Sequence, residues 1–310
     1  MASSSIAGSK VVVRTSLFVL IAAVLVACQR EPKPVFIAQH TVGEHPTEII
    51  HANGEYWLAQ LRQDSLFRVH RFPIQPDVIR IEPETAVRSP HFMAANQRGV
   101  YVSEGRGSGV RYFAFDGSMA GSAVPIDIPL QRPHGLCIKD DWLYIADSVG
   151  SRLVRWHLVE QRSEVFADHE KKIAYGRQLL CRDDGIWLSN SYEKAFPLND
   201  GIGSNVLRIS DFASGNSDTI IAFPDTNTTG IEILDDRLLL IGRWVLKRDV
   251  VMLDLETGHL VGTLFTSDAE LDAPYGISVD PSKRRFYIAF LGINPYKSGD
   301  GKGAILEWRY

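Results

Sequence analysis

One pattern recurs about every 45 residues along most of this 310-residue chain, and it limits the folds that the chain can adopt. Its clearest copies begin at Pro133 and Pro274, each with an apolar run, a polar turn and a second apolar run. Weaker copies bring the number of units to six, with starts near residues 46, 90, 133, 177, 228 and 274. Each unit holds three or four runs of alternating apolar and polar residues, which predict short antiparallel strands.

The length of the repeat favours one all-β architecture. Units of about 40 to 50 residues with four strands are typical of a β-propeller, because one small sheet buries both faces only by packing in a ring. We therefore predict a six-bladed β-propeller over residues 35–310. The last unit supplies only three strands, and a strand-like run at 35–42 precedes the first unit. We expect this N-terminal strand to complete the C-terminal blade and close the ring, which removes two exposed edges.

The start of the chain differs from the repeats. Lys10 and Arg14 precede an uncharged apolar run at 17–27, which is shorter than the roughly 20 residues that span a bilayer. This arrangement is typical of an export signal, and an uncleaved membrane anchor is the alternative. The run ends in Leu-Val-Ala-Cys at residues 25–28, which resembles the lipobox of bacterial lipoproteins.

That resemblance implies a processing pathway and a location. It implies removal of the signal peptide 1–27, acylation of Cys28, and a lipidated tether over residues 28–34. The residue after the cysteine is Gln29 rather than Asp, which in lipoproteins of two-membrane bacteria favours the outer membrane. We expect a lipoprotein of the bacterial cell envelope that is anchored to the bilayer through Cys28 and faces the periplasm.

Charge and motifs exclude several function classes. The chain carries 33 Lys plus Arg against 37 Asp plus Glu, and this net charge of −4 offers no basic excess for a nucleic acid. It contains no Gly-rich phosphate loop opening a helix, no His-Glu-x-x-His and no Cys-x-x-Cys.

A family resemblance comes from the third unit. Its segments 133–135, 143–147 and 151–155 resemble the NHL repeat, and the mature chain resembles the six-bladed, TolB-like superfamily that includes the senescence-marker-protein and gluconolactonase family. The resemblance implies a propeller, and it raises the alternative of a lactonase- or esterase-like hydrolase or lyase. In that family a Glu, two Asn and an Asp hold a divalent cation. Glu44 matches the Glu, but the remaining positions hold His134, Gln178 and Thr229. We therefore expect no cofactor and no metal site, with Ca²⁺ as the alternative.

The loops that enter the innermost strands place one residue per blade around the mouth of the central channel. These candidates for ligand binding are Thr47, His91, His134, Gln178, Thr229 and Tyr275. Their polar groups suit either a ligand or ordered water. Under the enzymatic alternative, the site is at this mouth. The catalytic candidates are then Glu44, His91, His134 and Gln178, with the two histidines suited to general-base work.

The leading hypothesis about function rests on three long connections on the same rim. Residues 189–205, 242–249 and 291–303 exceed ordinary hairpin lengths, and long loops on a rigid scaffold often bind partners. Their aromatic and polar residues are Asn190, Tyr192, Phe196, Arg243, Trp244, Asn294 and Tyr296. We expect a binding or scaffold module for a protein or glycan partner, and variable loop decoration is the alternative.

Two further patterns predict structural roles. Asp147 with Arg152, and Glu104 with Arg106 or Arg111, are expected to tie the second strand of a blade to the third. Cys137 and Cys181 occupy equivalent places, five residues into the inner strands of units three and four. Because equivalent positions point the same way around a ring, we expect no disulfide and two buried thiols, although export would permit a bridge.

Overall fold

The computed structural model describes residues 33–61, 65–69, 79–80, 87–107, 109–118, 120–191, 204–244, 247–267, 271–292 and 302–310. The strands in these residues form six four-stranded antiparallel sheets, accompanied by one 3₁₀ turn, Pro281–Lys283. The prediction of an all-β propeller is confirmed. Among the described residues, no helix has the length and apolarity needed to cross a membrane.

We number the sheets in chain order, starting from the innermost strand of each. Sheet 1 contains β2 (Pro46–Ala52), β3 (Glu55–Gln60), β4 (Ser65–Val69) and β5 (Ile79–Arg80). Sheet 2 contains β6 (Pro90–Ala95), β7 (Gly99–Glu104), β8 (Gly109–Ala114) and β9 (Ala120–Ala123). Sheet 3 contains β10 (Pro133–Lys139), β11 (Trp142–Asp147), β12 (Arg152–His157) and β13 (Ser163–Val165).

The other three sheets follow the same plan. Sheet 4 contains β14 (Tyr175–Arg182), β15 (Gly185–Ser191), β16 (Ser204–Asp211) and β17 (Asn216–Phe223). Sheet 5 contains β18 (Asn227–Leu234), β19 (Leu238–Trp244), β20 (Asp249–Asp254) and β21 (His259–Thr266). Sheet 6 contains β22 (Pro274–Asp280), β23 (Arg285–Phe290), β24 (Lys302–Arg309) and the N-terminal strand β1 (Val35–Glu44).

Burial decreases from the inner strands to the outer ones. Every residue of β18 is buried, whereas most of β21 in the same sheet is exposed. The apolar clusters lie between neighbouring sheets, as between sheets 3 and 4, where Leu153 of one sheet and Leu188 of the other belong to the same cluster. The inner strands are therefore buried on both faces, whereas the outer strands face solvent.

The N-terminal strand pairs with the C-terminal one. Strand β1 is antiparallel to β24, with Thr41 opposite Ala304. The pairing is reinforced by a hydrogen bond of 2.9 Å between His40 Nε2 and Glu307 Oε2, both of which are buried. Strand β1 therefore occupies the outer place of sheet 6.

Neighbouring inner strands are linked by hydrogen bonds from side chains to backbone carbonyls. The hydroxyl of Thr47 donates to Pro90 O at 3.1 Å, and that of Thr229 donates to Pro274 O at 2.6 Å. Three serine hydroxyls also donate to the inner strand of a neighbouring sheet. Ser148, directly after β11, donates to Gly176 O, Ser189 of β15 donates to Thr229 O, and Ser278 of β22 donates to Ile49 O.

The expectation that the two cysteines remain unpaired is wrong. Cys137 and Cys181 form a disulfide between β10 and β14, with Cα atoms 5.5 Å apart. The backbone register explains the difference. After the bulge in each inner strand, pairing resumes at Leu136 and Leu179, so Cys137 is equivalent to Leu180 and not to Cys181. Successive residues of a strand point to opposite faces, and the two sulfur atoms therefore face each other between the sheets.

Candidate functional site

The bulges of the inner strands define a layer of six side chains around the axis, one from each sheet. Each member is the residue that directly follows the last regular pair before the bulge. These residues are Thr47, His91, His134, Arg177, Thr229 and Tyr275. The member from sheet 4 is Arg177, whereas the sequence alignment had placed Gln178 there. Sheet 4 starts with Tyr175-Gly176 and has no proline to mark the register, as Pro133 does in sheet 3. We call these six residues the axial layer.

The axial layer is buried and does not form an open channel mouth. The exposed fraction of its residues is between 0% and 4%. Three glycines at the next position, Gly135, Gly230 and Gly276, let the inner strands approach closely. A Cβ atom on Gly135 would lie 2.3 Å from Arg177 O, and one on Gly276 would lie 2.4 Å from Thr47 O. The inner strands can lie close together at the axis because these three glycines have no side chain.

Gln178 connects three sheets through its amide group. Its Oε1 accepts hydrogen bonds from the N–H groups of Ile231, at 3.2 Å, and Ile277, at 3.1 Å. Its Nε2 donates to Ile277 O at 2.6 Å and to Glu48 Oε1 at 3.4 Å. The two threonine hydroxyls of the axial layer are also bonded to backbone carbonyls. Three of the predicted ligand-binding residues thus hold the sheets together.

The two histidines of the axial layer form a close pair. The ring centroids of His91 and His134 are 3.9 Å apart, and His91 Nδ1 lies 3.1 Å from Tyr275 Oη. Burial lowers the pKa of both rings well below the ordinary value, and nearby arginines lower it further. Both imidazoles are therefore neutral near pH 7. Among the described residues, His91 Nε2 and both ring nitrogens of His134 have no hydrogen-bond partner.

Arg177 places a positive charge beside this pair. Its guanidinium lies 4.4 Å from the ring centroid of Tyr175, and Nη1 donates to Tyr275 Oη at 3.3 Å. The contacts place the guanidinium over an aromatic face, where a planar cation is favoured.

The predicted rim residues that the structure describes have structural contacts. Asn190 is buried, and its Oδ1 accepts from the N–H groups of Ala174, at 2.8 Å, and Tyr175, at 3.0 Å. Arg243 forms a two-pronged ion pair with Asp249, at 2.7 and 2.6 Å, and Trp244 is buried. The other candidates, Cys28, Tyr192, Phe196, Asn294 and Tyr296, lie outside the described residues. Glu44 lies in β1, but its side chain is outside the described part.

The acid–base pairs tie strands together, as predicted. Arg152 Nε donates to Asp147 Oδ2 at 2.9 Å, and Arg111 Nε donates to Glu104 Oε2 at 2.7 Å. The partner of Glu104 is therefore Arg111, not Arg106. Within the described ranges, no group of three or more His, Cys, Asp or Glu residues is arranged to hold a metal ion.

A cavity lies around the axis at the far ends of the inner strands. Its volume is about 330 Å³, and residues from all six sheets line it. Two of these residues are the buried acids Glu48 and Glu232, which the sequence analysis missed. A signal for Glu48 does exist, since it occupies the bulge position at which three other sheets carry glycine.

Both acids favour the protonated form. Burial raises the pKa of the Glu48 carboxyl well above its ordinary value, although Met93 N donates to Oε2 at 2.5 Å. Burial also raises the pKa of Glu232 to about 7, opposed by the hydrogen bond from Ile233 N and by the charge of Arg182. The cavity therefore holds acids that gain charge as the pH rises.

Glu232 is expected to make the folded state less stable at higher pH. Its raised pKa means that the folded protein binds the proton more tightly than the unfolded chain, so stability is greatest below about pH 4.5 and is lost as the pH rises to about 7. Over this range the ionisation of Glu232 should lower the free energy of unfolding by about 3 kcal/mol. Urea unfolding of Glu232→Gln at pH 5, 6, 7 and 8 should show a variant whose advantage over the wild type grows with pH.

The exposed Glu256 provides the matched control. The Glu256→Gln variant should follow the wild-type pH profile. If the difference between Glu232→Gln and the wild type were constant from pH 5 to pH 8, the prediction would be wrong.

The architecture and the buried axis define the class of this chain, which is a β-propeller protein. No protein-family model matches the sequence, and no curated protein matches it either. Several solved structures are similar. The PQQ-bound aldose sugar dehydrogenase of Streptomyces coelicolor aligns with a TM-score of 0.65 at 11% identity, over 89% of this chain and 98% of that one.

Two further structures show the same likeness. A chain from a nidogen/laminin complex aligns with a TM-score of 0.60 at 12% identity, covering 76% of this chain and 85% of its own. A structural genomics protein of unknown function from Bacteroides thetaiotaomicron aligns with a TM-score of 0.61 at 14% identity, covering 89% and 72%. At such identities the likeness shows the fold alone.

Proposed function

We propose that this protein is a binding module of the bacterial cell envelope, anchored by a lipid on Cys28 at the outer membrane and facing the periplasm. Its rim takes a protein or glycan partner. The observation that carries this proposal is the uneven length of the connections between the second and third strands. Residues 192–203 and 291–301 are much longer than the equivalent 148–151 and 245–248. The prediction of a long connection at 242–249 is wrong, because β19 continues to Trp244 and β20 starts at Asp249. Equivalent connections of a propeller lie on one rim, and long loops there often bind partners.

The disulfide supports the proposed location. Disulfides form and persist in oxidising compartments such as the periplasm, and they are rare in the bacterial cytosol. A bridge between Cys137 and Cys181 is therefore consistent with export.

The side-chain contacts around the axis favour binding over hydrolysis. Gln178, Thr47 and Thr229 are bonded to the backbone of neighbouring sheets, so their polar groups are already occupied. Burial and nearby positive charge lower the pKa of His91 and His134 well below the ordinary value, which makes both rings weak general bases. The lactonase-like alternative is therefore weakened at Gln178 and at the two histidines, while the side chain of Glu44 lies outside the described residues.

We also propose that the six sheets are the six blades of one closed ring. Side-chain hydrogen bonds to the inner strand of the next sheet run from sheet 1 to 2, 3 to 4, 4 to 5, 5 to 6 and 6 to 1. The ring contact between His91 and His134 connects sheets 2 and 3. Strand β1 then joins the two ends of the chain in sheet 6.

Removal of β1 is the test of ring closure. A soluble chain that starts at residue 45 should melt at least 10 °C lower than residues 29–310, because it exposes the edge of β24 and the buried core around Val42 and Ile305. It should also self-associate in size-exclusion chromatography. Adding residues 29–44 as a separate peptide should restore part of the stability. An unchanged melting temperature would show that β1 does not close the ring.

The anchor is tested by metabolic labelling with palmitate. Replacement Cys28→Ser should abolish incorporation of the label, since the acylation site is removed. The matched variant Ser5→Ala, also in the leader, should be labelled like the wild type. Labelling of Cys28→Ser, or no labelling of the wild type, would contradict a lipid anchor on Cys28.

Partner binding is tested by shortening the loops. Residues 192–203 and 291–301 are each replaced by the short connection 148–151, and melting temperatures confirm that the variants fold. We expect at least tenfold weaker binding to purified envelope protein or glycan fractions, measured by biolayer interferometry. Replacement of 245–248 by the same segment is the control. Turnover of lactones or aryl esters that is lost in Glu44→Gln would overturn the binding proposal.

A further inference from the structure

One arginine belongs to the axial layer, and two more lie beside it on the rim side. Arg177 belongs to the layer, and Arg132 immediately precedes β10, two residues before His134. Arg106 follows Gly105 in the connection between β7 and β8, and the ring of His91 lies directly against that glycine, since a Cβ there would be 2.3 Å from His91 Nε2. Arg177 is buried, Arg132 is half-buried and Arg106 is exposed, so the three lead from the surface towards the axis.

Glu104 and Asp147, which end the second strands of sheets 2 and 3, are already paired with other groups. Glu104 accepts from Arg111 Nε at 2.7 Å and from Arg88 N at 2.9 Å. Asp147 accepts from Arg152 Nε at 2.9 Å and from the backbone N–H of Arg132 at 2.8 Å. Within the part of the chain that the structure describes, the guanidinium groups of Arg106 and Arg132 have no ion pair.

The same arginines act electrostatically on the two buried rings. After burial, the causes that lower the pKa of His91 are Arg132, Arg177 and Arg106, in that order. Arg177 and Arg132 also lower the pKa of His134. The overall charge of the chain is −4, so this positive region is local.

The unpartnered ring nitrogens are a second and independent observation. His91 and His134 are 2% and 0% exposed, and three of their four ring nitrogens have no partner among the described residues. A buried polar atom without a hydrogen bond costs about 1–3 kcal/mol, so such atoms usually have a partner in the functional state. Neutral imidazole donates one hydrogen bond, which suits an anionic oxygen as well as it suits water.

We propose that the rim side of the axis binds the carboxylate or phosphate group of a small anionic ligand between Arg106, Arg132 and the His91–His134 pair. This inference deepens the proposed binding function and rests on it for its biological role. Guanidinium groups form short, charge-assisted hydrogen bonds with such oxygens, often two at a time. Arg177 holds its positive charge beneath the site through Tyr175 and Tyr275.

Calorimetric titration of soluble residues 29–310 with inorganic phosphate and with acetate tests the site. The double variant Arg106→Gln/Arg132→Gln should bind phosphate at least tenfold more weakly than the wild type. The double variant Arg162→Gln/Arg284→Gln removes the same charge from surface positions and should stay within twofold. Arg177 is left unchanged, because it is buried and its replacement threatens folding.

The position of the anion is read from the histidine rings. In NMR spectra the ring signals of His91 and His134 should move with the same phosphate midpoint as the heat, and those of the distant His259 should not. Absence of phosphate and acetate binding, or an equal loss in both double variants, would overturn the inference.

A further comparison separates a free ligand from an acidic group on a partner, and separates this inference from the proposed function. If phosphate competes with partner binding to the rim, the anion belongs to the partner's contact, and without competition it is a separate ligand. If partner binding needs the long loops but phosphate does not bind, the anion site alone is wrong. If phosphate binds but partner binding does not depend on the long loops, the proposed rim function alone is wrong.

Discussion

Reduction of the disulfide between Cys137 and Cys181 should lower the melting temperature of the folded domain by roughly 10 °C. The bridge joins residues 44 positions apart, and closing a loop of that length in the unfolded chain is worth about 4 kcal/mol. It also joins the inner strands of two sheets within one apolar cluster, where Cys137 is buried. Its loss therefore weakens the contact between sheets as well as the restraint on the unfolded state.

The measurement is differential scanning calorimetry of residues 29–310 with and without a reductant. The double variant Cys137→Ala/Cys181→Ala should melt near the reduced wild type and should not respond to the reductant. Cys28 is absent from this fragment, so the bridge is its one redox-sensitive pair. A wild-type shift below 2 °C, or an equal shift in the double variant, would contradict the prediction.

Replacement Gly276→Ala should lower the free energy of unfolding by about 3 kcal/mol or more. Its new methyl group would lie 2.4 Å from Thr47 O and 3.2 Å from Glu48 Cα, and both are backbone atoms of the neighbouring sheet. Relief of that contact requires sheets 6 and 1 to move apart at the axis. The same movement would displace Tyr275 and so disturb its hydrogen bond to His91.

A second glycine separates close packing from backbone preference. Gly117 has a φ of +74° and no atom within 4 Å of a Cβ placed on it, so Gly117→Ala should cost only about 1 kcal/mol for the left-handed backbone. Urea unfolding of both variants gives the comparison. If Gly276→Ala were no more destabilising than Gly117→Ala, the inner strands would not be as close as the structure shows.

Strand register explains why some predictions succeeded and others failed. Alternation of apolar and polar residues located β10, β11 and β12 well, because turns rich in Asp and Gly mark their ends. Sheet 4 has no proline at the start of its inner strand, and the sequence alignment was one residue out there. A shift of one residue turns each side chain to the opposite face, which is why both the bridge at Cys181 and the axial position of Arg177 were missed.

The candidate site was predictable only in part. A repeat alignment locates one residue per unit near the axis, and it found His91, His134 and Tyr275. It could not indicate that they would be buried, since burial depends on how closely the inner strands approach at Gly135, Gly230 and Gly276. It also could not bring Glu48 and Glu232 into one cavity, because they belong to sheets 1 and 5 and come together only around the axis.

The sequence by itself predicted the class of fold and the number and spacing of the repeats, because these depend on local patterns that a chain carries in order. The export signal and the lipid anchor on Cys28 stay predictions. Tertiary structure alone decided the disulfide, the buried axial layer, the absence of an ion pair at Arg106 and Arg132 within the described ranges, and the raised pKa values of Glu48 and Glu232. Each of these depends on distances between residues of different sheets. Such distances follow from strand register and from how the sheets pack, and a repeat pattern specifies neither to within one residue.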